Sequence, residues 1–101
     1  MVLYSSYLFP KNYLPSRQEV IKTFDELLKG NLKREDASNW TNQWIIKEHA
    51  PVQDFVVWDA LMKLSGVDLL DIDGSYLHNE HDIISWLNDF QQGCMLNPEA
   101  K

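Results

Sequence analysis

Asp71, Asp73 and Glu80 come closest in this chain to a set of side chains with metal chemistry. With Gly74 taken as the sixth position of a calcium loop, the three acids fall at its third, fifth and twelfth positions, where oxygen ligands are required. The first position is then Leu69, whose side chain carries no oxygen. The stretch therefore reads as a solvated turn whose acids cap and solubilise it. His78 and His81 stand three apart with Glu80 between them. The zinc-protease pattern needs two histidines four apart with glutamate directly after the first, and zinc takes three or four ligands in all. These histidines read instead as helix-start or surface residues. No metal and no cofactor is expected.

Nucleophilic chemistry has one thiol to draw on, Cys94. A catalytic thiol needs a neighbouring base or cation to lower its pKa, and the sequence assigns none. Four residues beyond Phe90, Cys94 reads as the small apolar edge of the last helix. Paired carboxylates could imitate general acid and base only inside a cleft that shifts one pKa, which acids at polar helical positions do not indicate. No catalytic residue is assigned, and the chain reads as a binding protein rather than an enzyme.

Charge supplies a stronger signal. Residues 51–101 carry nine acids against two basic residues, whereas residues 1–50 carry six acids and seven bases. A surface of one sign steers a basic partner and repels nucleic acid and anionic membranes. Lys33-Arg34 is the one adjacent basic pair, and no glycine-rich phosphate loop is present. On this footing neither nucleic acid nor membrane is expected as a partner. A single cysteine excludes an internal disulfide and matches a reducing compartment. The apolar start lacks the basic region of a signal peptide, and no apolar run reaches the roughly 18–20 residues that span a bilayer. The expectation is a cytoplasmic protein.

The elements that would position these residues are helical. Ser16 and Glu19 have the spacing of a capping box. Beyond them Val20, Ile21, Phe24, Leu27 and Leu28 share a face, with Gly30 as the stop. A second helix runs from about Leu32 or Lys33 to Glu48, with Ala37, Trp40, Thr41, Trp44 and Ile45 on its apolar stripe. Pro51 bounds it. A third spans about Asp54 to Leu64 with Gly66 as its stop. Val56-Val57 also permits a short strand, but Trp58 to Leu64 continues a helical pattern. A fourth extends from about Asn79 to Gln92, with Asn79 and Asp82 resembling a cap and Gly93 as the stop.

Between the third and fourth helices lies a long Asp-Gly-containing connection. Leu69, Leu70, Ile72, Tyr76 and Leu77 are expected to pin it to the core while its aspartates face water. Pro10 and Pro15 leave residues 1–15 as an extended arm or short strand. The fold expected is all-α: residues 1–101 as one domain, a compact bundle of about four helices with an irregular N-terminal arm and a packed acidic loop. Trp40, Trp44 and Trp86 read as core, and Trp58, in the helix with the broadest apolar coverage, is also weighed as an interface residue.

The blocks Lys33-Arg34-Glu35-Asp36-Ala37-Ser38-Asn39-Trp40 and Gln43-Trp44-Ile45 resemble a family of small bacterial immunity-like proteins. The likeness continues through Val57-Trp58-Asp59-Ala60-Leu61, Gly66-Val67-Asp68-Leu69, Tyr76-Leu77-His78 and Asp82-Ile83-Ile84-Ser85-Trp86-Leu87. That family is associated with toxin systems, including contact-dependent growth inhibition. The resemblance implies a protein that neutralises a cognate toxin domain. With the acidic half, it suggests a basic nuclease toxin whose substrate-binding surface is occluded. Asp68, Asp71, Asp73, Glu80 and Asp82 are then the expected partner-binding surface, with Trp58 or Tyr76 as anchors. A regulatory protein-binding adaptor and a small enzyme remain as alternatives. An aromatic-centred surface flanked by acids would favour the immunity protein or the adaptor, and a polar cleft with perturbed pKa values the enzyme.

Overall fold

In the computed structural model of the chain, which describes residues 14–45 and 52–99, Ser16 opens the first helix by a reciprocal exchange. Its hydroxyl accepts from the Glu19 amide at 3.1 Å, and the Glu19 carboxylate accepts from the Ser16 amide at 2.9 Å. Two backbone donors that the helix start would leave orphaned are thereby satisfied. Helix α1, Arg17–Lys29, ends at Gly30, whose φ of 80° is left-handed and costs little without a Cβ. Val20 and Phe24 are fully buried on its inner face.

A short turn leads to helix α2, Arg34–Ile45, which buries Ala37, Trp40 and Trp44. The two indoles meet edge to face with ring centroids 5.1 Å apart, the arrangement the aromatic quadrupole favours. Buried hydroxyls on this helix have partners. Ser38 Oγ donates to the Ser65 carbonyl at 2.8 Å, tying α2 to the end of the next helix, and Thr41 Oγ1 donates to the Ser38 carbonyl. The sequence places the end of this helix and the His49-Ala50-Pro51 connection beyond residue 45. Those positions, like residues 1–13 of the N-terminal arm, lie outside the described residues.

Helix α3, Phe55–Ser65, settles Val56-Val57 as helical. Asp54 caps it, its carboxylate accepting from the amides of Val56 at 3.1 Å and Val57 at 3.4 Å. Helix α4, Glu80–Leu96, starts on a second capping box, Asn79 with Asp82. It is longer than the sequence suggests. Gly93 lies within it at a helical φ, and the cap is Asn97. A Cβ built on Gly93 would sit 3.2 Å from Val56 Cγ1, so this glycine allows α3 and α4 to approach closely.

The architecture is an all-α bundle. Helices α2 and α3 form the most extensive pair, and α4 packs against α3 and α1. One continuous core joins Phe24, Trp40, Leu61, Leu64, Val67, Ile83 and Phe90. Burying a side chain of this size contributes about 1.5–3 kcal/mol, which is why the apolar stripes decide how the helices face. The connection between α3 and α4 is held differently from expectation. Val67 is buried, but Leu69, Leu70, Ile72, Tyr76 and Leu77 are all exposed. Backbone hydrogen bonds, not apolar packing of those five residues, give this connection its form.

Candidate functional site

Residues 69–77 form a miniature hairpin. Leu70 and Tyr76 pair as an antiparallel bridge. The Asp71 amide donates to the Ser75 carbonyl at 2.7 Å, and the Leu77 amide to the Leu69 carbonyl at 2.8 Å. At the tip the Gly74 amide donates to the Asp71 carbonyl, and Gly74 takes a φ of 87°. A turn closed this way needs a residue that tolerates the left-handed region, and the Asp-Gly dipeptide supplies it. Asp73 Oδ1 accepts from the amide and the hydroxyl of Ser75, which holds its carboxyl below the usual range. Asp71 Oδ1 accepts from the Ile72 amide. Both aspartates therefore brace the turn they sit in.

Arg34, the first residue of α2, fastens this hairpin to the bundle. Its Nη1 donates to the carbonyls of Val67 and His78, one before the hairpin and one after it. The guanidinium also lies over the Tyr76 ring, 4.2 Å from the centroid. The Tyr76 hydroxyl donates to Glu35 at 2.8 Å, which lowers the Glu35 pKa and raises that of Tyr76. One guanidinium nitrogen serves both carbonyls while the planar group lies over the aromatic face, a stacking that the compact ammonium of a lysine does not reproduce. At the hairpin's exit, the His78 ring packs edge to face on Trp86 at 4.8 Å. This clasp spans α2, the hairpin and α4, and sequence spacing carries no trace of it because Arg34 and Glu35 find their partners 33 to 44 residues away.

Of the residues expected to form a partner surface, Asp71, Asp73 and Glu80 are exposed, and Asp68 and Asp82 half-buried. Asp71 and Asp73 belong to the hairpin, and Asp68 immediately precedes it. Asp82 accepts from the Asn79 amide as part of the α4 cap. Tyr76 is exposed, with its ring and hydroxyl both engaged in the clasp. Trp58 is half-buried in the first turn of α3, about 10 Å along the axis from the end that leads to the hairpin, and does not join this group. Among the described residues no three histidine, cysteine or acidic side chains converge to hold a metal. Burial pushes the Cys94 thiol up from its ordinary pKa, away from the thiolate a nucleophile requires.

Two concavities border these elements. A cleft of about 340 Å³ is floored by Leu27, Leu28, Leu32 and Ile83 and rimmed by Lys33, Glu35 and Glu80. A shallow groove of about 320 Å³ runs along α1 past Gln18, Lys22, Asp25 and Lys29. These four residues recur at helical spacing and are all exposed, and Lys33 follows them just beyond the Gly30 turn. Lys22 and Lys29, with Lys33, make a lysine edge interrupted by Asp25 and Glu26, in a chain of formal net charge −6. Among the described residues, no helix is long and apolar enough to cross a membrane.

A family model described as YxzC DNA-binding protein matches residues 14–90. The chain belongs to this family. A protein of Bacillus subtilis (strain 168) named "Uncharacterized protein YxzC" is 34% identical over 74 residues, a match covering 73% of this chain. The match spans 61% of that relative's own length. No solved structure matches the chain.

Family membership overturns the resemblance to immunity proteins, and with it the cognate toxin, the nuclease partner and toxin inhibition. The residues that carried the resemblance are largely packing residues: Trp40 and Leu61 are buried, and Trp86 packs against the core. Such side chains specify how helices meet, and unrelated functions share that requirement. The exclusion of nucleic acid also falls, since the family is described as DNA-binding. It rested on the acidic half, a lone adjacent basic pair and the lack of a glycine-rich phosphate loop, none of which shows lysines that a helix brings to one side from separated positions.

Proposed function

We propose that this chain is a DNA-associated regulatory protein of the cytoplasm that contacts the phosphate backbone through the lysine edge of α1. The observation that carries the reading is the match of residues 14–90 to a family described as DNA-binding. That span contains Lys22, Lys29 and Lys33.

Charge decides which element faces the duplex. Helices α1 and α2 are joined by four residues, 30–33, as in a helix-turn-helix unit, whose second helix enters the major groove by its N-terminal residues. Here those residues include Glu35 and Asp36, which are exposed and would meet phosphates with like charge. Lys22, Lys29 and Lys33 carry the opposite sign and are exposed, with Asp25 and Glu26 beside the first two. Three lysines neutralising three phosphates give a log–log salt slope of about −3, with no base readout implied. The net charge of −6 repels DNA over the rest of the surface, so contact is local and weak. No chemical reaction forms part of this reading.

Fluorescence anisotropy of a labelled mixed-sequence duplex, titrated with the protein at several low salt concentrations, tests it. Binding with a slope near −3 is expected, lost in the K22Q/K29Q/K33Q variant. Absence of binding by the folded protein at the lowest salt would sink the reading. Binding undiminished in the triple variant would remove the lysine edge from it.

A further inference from the structure

Ile72 is the most exposed large apolar side chain among the described residues, fully in solvent at the hairpin tip. Leu70 beside it is 61% exposed and Leu77 50%. Nothing in the fold requires these side chains. The turn is closed by backbone hydrogen bonds and by Gly74, and the hairpin is fastened through Arg34, so polar residues at 70 and 72 would leave every one of those contacts in place. Leucine and isoleucine held out of the core keep apolar surface in water at a cost of about 25 cal/mol per Å² relative to burial. Apolar side chains clustered on a rigid projection mark an interaction surface.

Charge identifies what covers it. Between Lys63 and Lys101 the sequence has no lysine or arginine and seven acids. Asp71 and Asp73 flank Ile72 directly, and Asp68 and Glu80 lie just outside the hairpin strands. Apart from Arg34, which lies over Tyr76, the charges named at the hairpin are acidic, and such a surface attracts a protein surface that surrounds apolar side chains with lysine or arginine. We propose that the hairpin of residues 69–77 is a docking element for a second protein, inserting Leu70 and Ile72 among apolar side chains rimmed by cationic ones. The carboxylates give encounter and orientation; the two aliphatic side chains give retention. Asp71 and Asp73 already accept hydrogen bonds from their own turn, so they are held in place before a partner arrives. The clasp of Arg34 does the same for the whole hairpin. Little ordering therefore remains to be done on binding. This inference is independent of the DNA reading, because it uses a different surface and the opposite charge.

The test is isothermal titration calorimetry of the full chain with three short amphipathic peptides. One is built of lysine and leucine, a second has serine for leucine, and a third has glutamate for lysine. The lysine–leucine peptide is expected to bind, the serine peptide at least about tenfold more weakly, and the glutamate peptide not at all. The L70S/I72S variant should lose at least about tenfold in affinity for the first peptide with little change in thermal stability, since Ile72 is fully and Leu70 mostly exposed. K22Q/K29Q should bind it as the parent does. Equal binding of the lysine–leucine and lysine–serine peptides would reduce the surface to simple charge attraction and overturn the proposal, as would no binding of the first peptide. Full affinity in L70S/I72S would also overturn it. Sedimentation of the parent and of L70S/I72S provides the remaining check. Self-association abolished by the double substitution would assign the hairpin to a second copy of this chain instead.

Discussion

Arg17 and Asp54 are joined by two hydrogen bonds, Nε to Oδ2 at 2.7 Å and Nη2 to Oδ1 at 3.1 Å, across thirty-seven positions of sequence. The pair ties the first residue of α1 to the cap of α3, and Arg17 Nη1 reaches on to the Cys94 carbonyl in α4 at 3.3 Å. One carboxylate thus caps a helix and neutralises a buried guanidinium. Asp54→Ala removes both functions. Loss of a cap costs about 1 kcal/mol, and leaving Arg17 without its anion adds about 1–3 kcal/mol, so a loss of about 2–4 kcal/mol is expected from urea unfolding at neutral pH. A loss below about 1 kcal/mol would show that water replaces the carboxylate freely.

The same pair makes stability depend on acid. The Arg17 hydrogen bond, together with those from Val57 and Val56, holds the Asp54 carboxyl below its ordinary pKa despite partial burial. A carboxyl whose pKa is depressed by folding binds fewer protons folded than unfolded. Its contribution is complete above the ordinary carboxylate range, about 4, and fades as pH falls through the depressed value. The difference in melting temperature between the parent and Asp54→Asn should therefore be largest near neutrality and shrink toward the acid limit. A difference constant with pH would remove Asp54 as its source.

Arg34 presents a separate case, because its role depends on shape as well as charge. Arg34→Lys keeps the charge but does not reproduce the planar group that lies over Tyr76 while serving the Val67 and His78 carbonyls. About 1–2 kcal/mol of stability should be lost, concentrated in the hairpin. Hydrogen exchange would register it as faster exchange of the Asp71 and Leu77 amides, which close the hairpin ladder. Core amides of α3 should change much less. Uniform acceleration throughout the chain would instead mean that Arg34 supports the bundle as a whole.

What could be read in the sequence was what local rules govern. Ser16 with Glu19 and Asn79 with Asp82 each announce a helix start within four residues, and the structure uses both as capping boxes, while Asp54, read only as the approximate start of the third helix, is its cap. Apolar spacing likewise placed Phe24, Trp40, Trp44 and Ile83 in the core. The Asp-Gly turn was legible, but its apolar neighbours were assigned inward because hydrophobicity alone does not say whether a loop folds back or stands out. Neither arginine clasp was legible. Arg17 reads as an ordinary first-turn residue and Arg34 as half of a basic pair, and their partners are fixed only once three elements meet. Function was less legible still, since the tryptophan-rich blocks specify packing.

Gly93 was read as a helix stop, and its position inside α4 leads to a prediction of its own. Alanine there gains up to about 1 kcal/mol of helix propensity. Its Cβ, however, would stand 3.2 Å from Val56 Cγ1, closer than a comfortable contact. Val56 is buried and β-branched, so it has few rotamers with which to yield, and overpacking of this kind costs about 1–3 kcal/mol. Gly93→Ala should therefore destabilise the protein by about 1 kcal/mol net. In a Val56→Ala background the obstructing methyl groups are gone, and the same Gly93→Ala change should become stabilising. The two effects make a double-mutant cycle whose coupling isolates the contact between α3 and α4. A Gly93→Ala effect of the same sign in both backgrounds would mean that Val56 does not set the approach of these helices.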